Sequence, residues 1–410
     1  MKAWTIVTVF LAMALCSGCQ PVSPESNSPK AQPAAEYHSG GKIVLGAPVL
    51  TAGIPGNGPL TIEQIRGWLE DPDVHRELDF TLPWALRDAI SLIWMPPENP
   101  LTRAKIELGR QLFFDVRLTK LRFACASCHI PEQDYSAYMV MPDIGRNPPV
   151  CFNRIFSERQ LWDGRVKSLE EQPGNPISNP FEMGTTTEEY LARIQSIQGY
   201  QLQFDTIFGR TDMAAVGFAL ACFQRALVTG PAPWDYHRLL AEFDQAKLDS
   251  LAPEDHQRIE KLRAKAMDNP MSESAIRGEA IFFSDRARCS WCHSGPNFTD
   301  EEYHNVGIGM DQEEPDLGRF EFTENDEDIG AFKTPTLRNI ANTPPYMHNG
   351  QFGRLEKVID WFNRGGFVHT HLDSNIRPLK LTRDEKRDLM AFLESLSGLL
   401  PQVEKDRLPQ

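Results

Sequence analysis

The chain has 410 residues, 41% of them apolar and 24% charged, an ordinary balance for a globular protein and enough material for two packed domains. Its formal net charge of −14 argues against nucleic acid or an anionic membrane surface as partner, because both repel an acidic face, and it favours a basic soluble partner.

From the N-terminus, Lys2, the apolar run Trp4–Leu15 and then Cys16-Ser17-Gly18-Cys19 predict a signal peptide over residues 1–18. A bilayer span needs about 18 or more apolar residues, so this run is too short to be one. The protein is expected to be exported to the periplasm, the outer membrane or the cell surface. Cys19 follows small residues as in a lipoprotein processing site, so a lipid anchor at Cys19 is the one membrane attachment expected, with plain cleavage and release as the alternative. Residues 19–44, rich in Pro and polar residues, predict a flexible tether, and residues 45–98 form an N-terminal extension whose role the sequence leaves open.

Comparison of the chain with itself reveals a duplication. Gly109-Arg110-Gln111-Leu112-Phe113-Phe114 recurs as Gly278-Glu279-Ala280-Ile281-Phe282-Phe283, and each copy soon meets a Cys-x-x-Cys-His. Two modules are therefore predicted, residues 99–230 and 272–410, joined by a helical connector over 231–271. Within it, the Leu-, Glu-, Lys- and Arg-rich stretch Trp234–Met267 predicts a solvated helical hairpin broken at Pro253. Capping boxes at Thr186/Glu189 and Thr382/Glu385 predict two further helix starts, the second helix ending near Gly398. Strand signals are sparse, so the expected fold is mainly α with few short strands, its two modules reading as cytochrome c-like haem domains on the motif chemistry that follows.

The Cys-x-x-Cys-His motifs are Cys125/Cys128/His129 and Cys289/Cys292/His293. A c-type haem needs two thiols spaced to reach its vinyl groups and an imidazole directly after them to ligate the iron, and each motif supplies all three. A zinc site is one alternative, but its Cys pairs normally lie about 15–20 residues apart and need no His in step with each. A redox disulfide is the other. Two covalent c-type haems are thus expected, with His129 and His293 on the irons. Cys151 and Cys222 are left over, either as a disulfide or as two buried thiols.

Between and after these motifs lie Gln160-Leu161-Trp162-Asp163-Gly164-Arg165, Leu169-Glu170-Glu171-Gln172, Asn175-Pro176-Ile177, Asn179-Pro180-Phe181-Glu182-Met183-Gly184, Phe332-Lys333-Thr334-Pro335-Thr336-Leu337-Arg338-Asn339 and Pro345-Tyr346-Met347-His348-Asn349-Gly350. From about Asn99 to Gly398 the chain resembles the bacterial di-haem cytochrome c peroxidase and MauG family. The resemblance implies a haem-dependent peroxidase-type oxidoreductase that uses hydrogen peroxide to form high-valent haem iron. It implies Glu182 as the acid-base carboxylate that moves the peroxide proton, Gln172 and Pro176 as the lining of the same distal pocket, and Trp162 as the bridge between the haems. Read alone, Glu182 is an ordinary exposed acid and Trp162 ordinary packing. Arg165 and His348 are expected on haem propionates or nearby carbonyls. A calcium ion is implied between the domains, held by the Asn147 side chain and the carbonyls of Thr343 and Pro345, where the bland reading is a turn and a Pro-rich loop.

Two departures from the family pattern bear on activity. No His occurs from Ile130 to Leu161, where typical cytochrome c peroxidases carry the His that closes the first iron until the second haem is reduced; Met139 or Met141 remain as ligands there. Fourteen residues after His348, where the family has Met or Tyr on the second iron, stands Phe362, which cannot ligate. The second iron is then five-coordinate or takes His369, His371 or a Met, and Trp361 and Trp291 are candidate routes for an oxidising hole to the surface. The departures favour a MauG-like enzyme that oxidises Trp or Tyr residues of a partner protein. The alternatives are a cytochrome c peroxidase that reduces hydrogen peroxide to water with electrons from a small redox protein, and a non-catalytic di-haem electron-transfer cytochrome.

Overall fold

The computed structural model describes residues 38–39, 42–138, 140, 144–241 and 253–410. The predicted signal peptide, Cys19, most of the tether, Met139 and Met141 lie outside the described residues. Helices dominate, as expected, and the strands are short. β1 (His38–Ser39), β2 (Lys42–Val44) and β3 (Phe80–Thr81) form a three-stranded sheet, β1 antiparallel and β3 parallel to β2. β4 (Tyr303–His304) and β5 (Phe332–Lys333) pair antiparallel.

The duplicated glycine motif acts at two helix crossings. Arg103–Phe114, capped by Thr102, crosses Met213–Ala226, capped by Asp212. A Cβ on Gly109 would lie 2.0 Å from the Ala219 carbonyl oxygen. In the second copy Glu273–Phe282, capped by Ser272, crosses Arg383–Glu394, and a Cβ on Gly278 would lie 1.9 Å from the Asp388 oxygen. Only glycine lets the backbones approach so closely. Each crossing lies in an apolar core: the first includes Ile106, Leu112, Phe113, Leu220 and Phe223, the second Phe282, Leu389, Phe392 and Leu393.

Both predicted capping boxes are present, at Thr186/Glu189 and Thr382/Glu385, with the second helix ending at Glu394, short of Gly398. The connector forms the two helices expected and is largely solvent-facing over residues 260–268, but its start is buried. Helices cover Pro233–Ala241 and Pro253–Asp268, so Pro253 opens the second helix, where its missing N–H costs nothing; residues 242–252 lie outside the described set. Trp234, Asp235 and Tyr236 are buried. The Trp234 ring packs edge-on against Phe298 at 4.7 Å, and Asp235 receives Arg338 at 2.5 and 2.9 Å. Composition concealed this, because Asp235 counts as a solvated charge until its distant partner Arg338 is known.

The 45–98 extension lies on the first core, to which it adds Leu45, Leu82 and Leu86, and with the helix Ile62–Leu69 it builds a small cluster of Ile54, Leu60, Ile65, Leu69 and Val74. The C-terminal segment returns across the same region. Arg110, buried against Glu107, donates to the carbonyls of Glu404 (2.6 Å) and Arg407 (2.8 Å), while Arg407 donates to those of Ile54 and Gly58. Among the described residues no single helix is long and apolar enough to cross a membrane.

Candidate functional site: two cavities and a shared wall

Each Cys-x-x-Cys forms one short helical turn, Cys125–Cys128 and Cys289–Cys292, ending at its histidine. The turn brings both sulfurs to one side, and the histidine leaves the helix next to them. The two imidazoles are held alike: Nδ1 of His129 lies 3.4 Å from the Tyr135 carbonyl and Nδ1 of His293 lies 3.0 Å from that of Phe298. With Nδ1–H donating to a carbonyl, the lone pair remains on Nε2, as an iron ligand requires. Burial holds both rings neutral, pushing His129 down to about 4 and lowering His293 as well.

A cavity of about 1000 Å³ opens beside the first motif, lined by Cys125, Cys128 and His129. One of about 270 Å³ opens beside the second, lined by Cys289, Cys292 and His293. The second is also lined by Arg154, Arg288, Lys333, Arg338 and Arg377 and by no Asp or Glu. Nε of Arg288 is buried without a partner. Cations with an orphaned donor and no lining carboxylate suit an occupant that carries acid groups, so the pair of thiols, the neutral imidazole and this rim fit a c-type haem.

The first cavity gathers the residues implied by the resemblance: Glu182, Gln172, Pro176 and Arg165 all line it. Glu182 lies in the loop after the short helix Gly174–Ser178, where Asn179 turns the chain and its Nδ2 donates to Glu182 Oε1 at 2.7 Å. Burial raises the Glu182 pKa, opposed by the Asn179 hydrogen bond and by the charge of Arg165. A carboxylate ready to accept a proton thus faces the first cavity.

Trp162 lines both cavities, together with Asn147, Arg154, Leu161 and His348. It lies in the loop closed by the Gln160–Val166 bridge. Its indole N–H donates to the Asn147 carbonyl at 2.6 Å, and its own carbonyl accepts from the Lys333 amide at 2.7 Å, so both cavity walls hold it. Arg165 donates to the buried Asp163, shared with Arg146, and His348 stacks on Phe332 at 3.6 Å.

The three expected cation ligands, Asn147, Thr343 and Pro345, all line the second cavity. The Asn147 amide lies 2.6 Å from the Pro345 carbonyl, Ser136 joins the Thr343 carbonyl at 3.3 Å, and Asn147 Oδ1 is buried with no partner. Turning the amide would set Oδ1 against the Pro345 oxygen, an arrangement favoured only with a cation between them, so the donors suit a hard metal ion.

Phe362 lines the second cavity; His369 and His371 do not. His369 bonds Asn305 at 3.2 Å. Trp361 is buried, its indole donating to Val306 at 2.9 Å, and so does not reach the surface, whereas Trp291 is 51% exposed beneath the Arg288 guanidinium. Cys151 and Cys222 are free, buried thiols. Nothing in the sequence singles out Arg154, which lines both cavities and bonds Gln160 at 2.6 and 3.0 Å; one Arg among many carries no local signal.

Residues 103–242 match the family model described as di-haem cytochrome c peroxidase. The methylamine utilization protein MauG of Methylorubrum extorquens is 35% identical over 77% of this chain and 84% of its own length. The cytochrome c551 peroxidase of Pseudomonas aeruginosa is 30% identical over 81% of this chain and 93% of its own. Among solved structures, a MauG-like protein associated with microbial copper homeostasis superposes with TM-score 0.63 at 27% identity, covering 77% of this chain and 95% of that one. These curated relatives are named for MauG and for peroxidase activity, which leaves the non-catalytic electron-transfer reading without support.

Proposed function

The chain belongs to the di-haem cytochrome c peroxidase family and is a haem-dependent oxidoreductase, and on that premise we propose that it is an exported MauG-like enzyme that uses hydrogen peroxide to oxidise Trp or Tyr residues of a partner protein. Cys125 and Cys128 would hold one haem with His129 on its iron, and Cys289 and Cys292 the other with His293. When bound, the haems supply the two electrons that peroxide removes and store the resulting oxidising power.

The chain's own residues prepare this chemistry. Glu182 takes a proton from the bound peroxide and returns it to the departing oxygen, with Asn179 fixing its orientation. Gln172 orients the peroxide and Pro176 narrows the approach to it. Trp162, in the wall common to both cavities, is the bridge over which charge is shared. Asn147, Thr343 and Pro345 hold a calcium ion, and because the Asn147 carbonyl accepts the Trp162 indole N–H, that ion also steadies the bridge. Export follows from the leader, with Cys19 as the lipid anchor.

The observation that carries the reading is Glu182 in the first cavity of a chain that has no His from Ile130 to Leu161 to close that iron. The cytochrome c peroxidase alternative is favoured by relatives of that name at 30% identity. One experiment separates them: the resting ferric protein is mixed with one equivalent of peroxide, without reductant. Immediate reaction and transfer of the oxidation to a protein Trp or Tyr is expected. A requirement for prior reduction, with sustained turnover from a small redox protein, would instead establish the alternative.

A further inference from the structure

The two cavities differ in what lines them. Glu182, Glu314, Asp316 and Glu321 line the first, whereas no carboxylate lines the second. The helix Leu355–Arg364 gives the second cavity Leu355, Val358, Ile359 and Phe362, and Arg383–Glu394 adds Leu389 and Leu393. That wall is hydrocarbon throughout.

Among the described residues, and apart from His293 and the two motif cysteines, five side chains lining this cavity carry a lone pair of the kind that ligates haem iron: His304, Lys333, Tyr346, Met347 and His348, of which the Tyr346 hydroxyl donates to the Ile340 carbonyl at 3.0 Å. Both ring nitrogens of His304 are held by carboxylates, Nδ1 by Asp373 at 2.6 Å and Nε2 by Asp300 at 2.9 Å. Lys333 is ion-paired with Glu301. His348 lies flat on Phe332, in the wall shared with the first cavity. Met347 has no such tie, and stacking on Phe332 does not occupy the ring nitrogens of His348.

We propose that the second cavity binds a small uncharged diatomic ligand, of the class of carbon monoxide, nitric oxide or dioxygen, at an open sixth position of the second haem. This rests on the haem assignment made above. The hydrocarbon wall given by Leu355, Val358, Ile359, Phe362, Leu389 and Leu393 costs a neutral diatomic almost nothing in lost solvation. No carboxylate lines the second cavity to take the proton of hydrogen peroxide as Glu182 does in the first, so peroxide is expected to react in the first cavity. Phe362 is the residue that keeps the position open: its ring fills part of the wall and offers no ligand atom.

The test uses the purified holoprotein. Haem content is measured first, by the pyridine adduct of the c-type haems, with two per chain expected. The protein is then fully reduced and titrated with carbon monoxide, with uptake of two molecules per chain expected. Phe362→Met puts a thioether in the same wall, and uptake should fall to one. Two haems with a single carbon monoxide bound by the unaltered protein would overturn the inference while leaving the haem assignment intact. A low-spin second haem that becomes high-spin in Met347→Leu would overturn it as well, by naming the ligand. A single haem per chain would remove the assignment itself, and the inference with it.

Discussion

Replacing Glu182 by Gln keeps the size of the side chain and leaves a carbonyl to accept the Asn179 amide, which now lies 2.7 Å from Oε1, so packing is preserved and the proton acceptor alone is lost. Positioned general acid-base groups contribute about 10²- to 10⁴-fold. That corresponds to about 2.7–5.4 kcal/mol of barrier. The pH dependence has a definite sign. The acceptor works ionised and its pKa is raised, chiefly by burial. The rate of peroxide consumption should therefore climb with pH through a limb above the ordinary carboxylate range, then level off. Stopped-flow mixing of ferric protein with peroxide across a pH series reads both quantities. Glu182→Gln should be slower by the stated factor on the plateau and lack the limb. Asn179→Ala removes a hydrogen bond that lowers the pKa, so its limb should move to higher pH. A Glu182→Gln rate within about threefold of the unaltered protein, or an unchanged limb, would refute the assignment; threefold is less than about 0.7 kcal/mol.

Other residues give separate tests. Trp162→Phe should leave peroxide consumption within about threefold and slow oxidation of the second haem at least about tenfold, seen by rapid-mixing spectroscopy, because it removes the indole shared by both cavity walls. Gly278→Ala places a Cβ where the Asp388 oxygen already stands 1.9 Å away, and denaturant titration should find a loss of about 1–3 kcal/mol. Gly67→Ala, in the helix Ile62–Leu69 with nothing within 4 Å, should instead gain up to about 1 kcal/mol. Metal analysis after dialysis should find calcium bound to the unaltered protein and at least about tenfold weaker binding in Asn147→Ala, which deletes a ligand and the residue's tie to Pro345.

What the sequence made legible is what a few neighbouring residues decide. Each Cys-x-x-Cys-His is a single turn, each Thr-x-x-Glu is a local exchange of hydrogen bonds, and the repeated motif from Gly109 and Gly278 shows the duplication, though not the helix crossing it serves. Pairings between distant residues stayed hidden. The connector read as solvated throughout because its charges are counted easily, whereas the contact that buries its start joins Asp235 to Arg338, and neither residue announces the other. The role of residues 45–98 was closed to sequence for the same reason: their partner is the C-terminal segment, held through Arg110 and Arg407. Glu182, Trp162 and Asn147 stand between these cases. Their residue types alone predict surface acid, packing and turn; only resemblance to a family raised them, and the structure now puts each at a cavity wall.

The contrast between the cavities then follows from electrostatics. Arg154 and Arg338 line the second, the latter fully buried and paired with Asp235, and Lys333 is buried enough to be pushed down to about 8 despite its bond to Glu301. Buried cations are costly unless met by negative charge. Asp235 and Glu301 meet Arg338 and Lys333 from outside the lining, whereas Arg154 bonds only neutral oxygens of Gln160 and Arg159, and a c-type haem would bring two carboxylates to the cavity. Adding a carboxylate of the chain's own, as the first cavity does with Glu182, would compete for those cations and give peroxide a second place to react. On the proposed assignment, confining Glu182 to one cavity and the hydrocarbon wall to the other would give the two irons different roles, with Trp162 in the wall between the cavities.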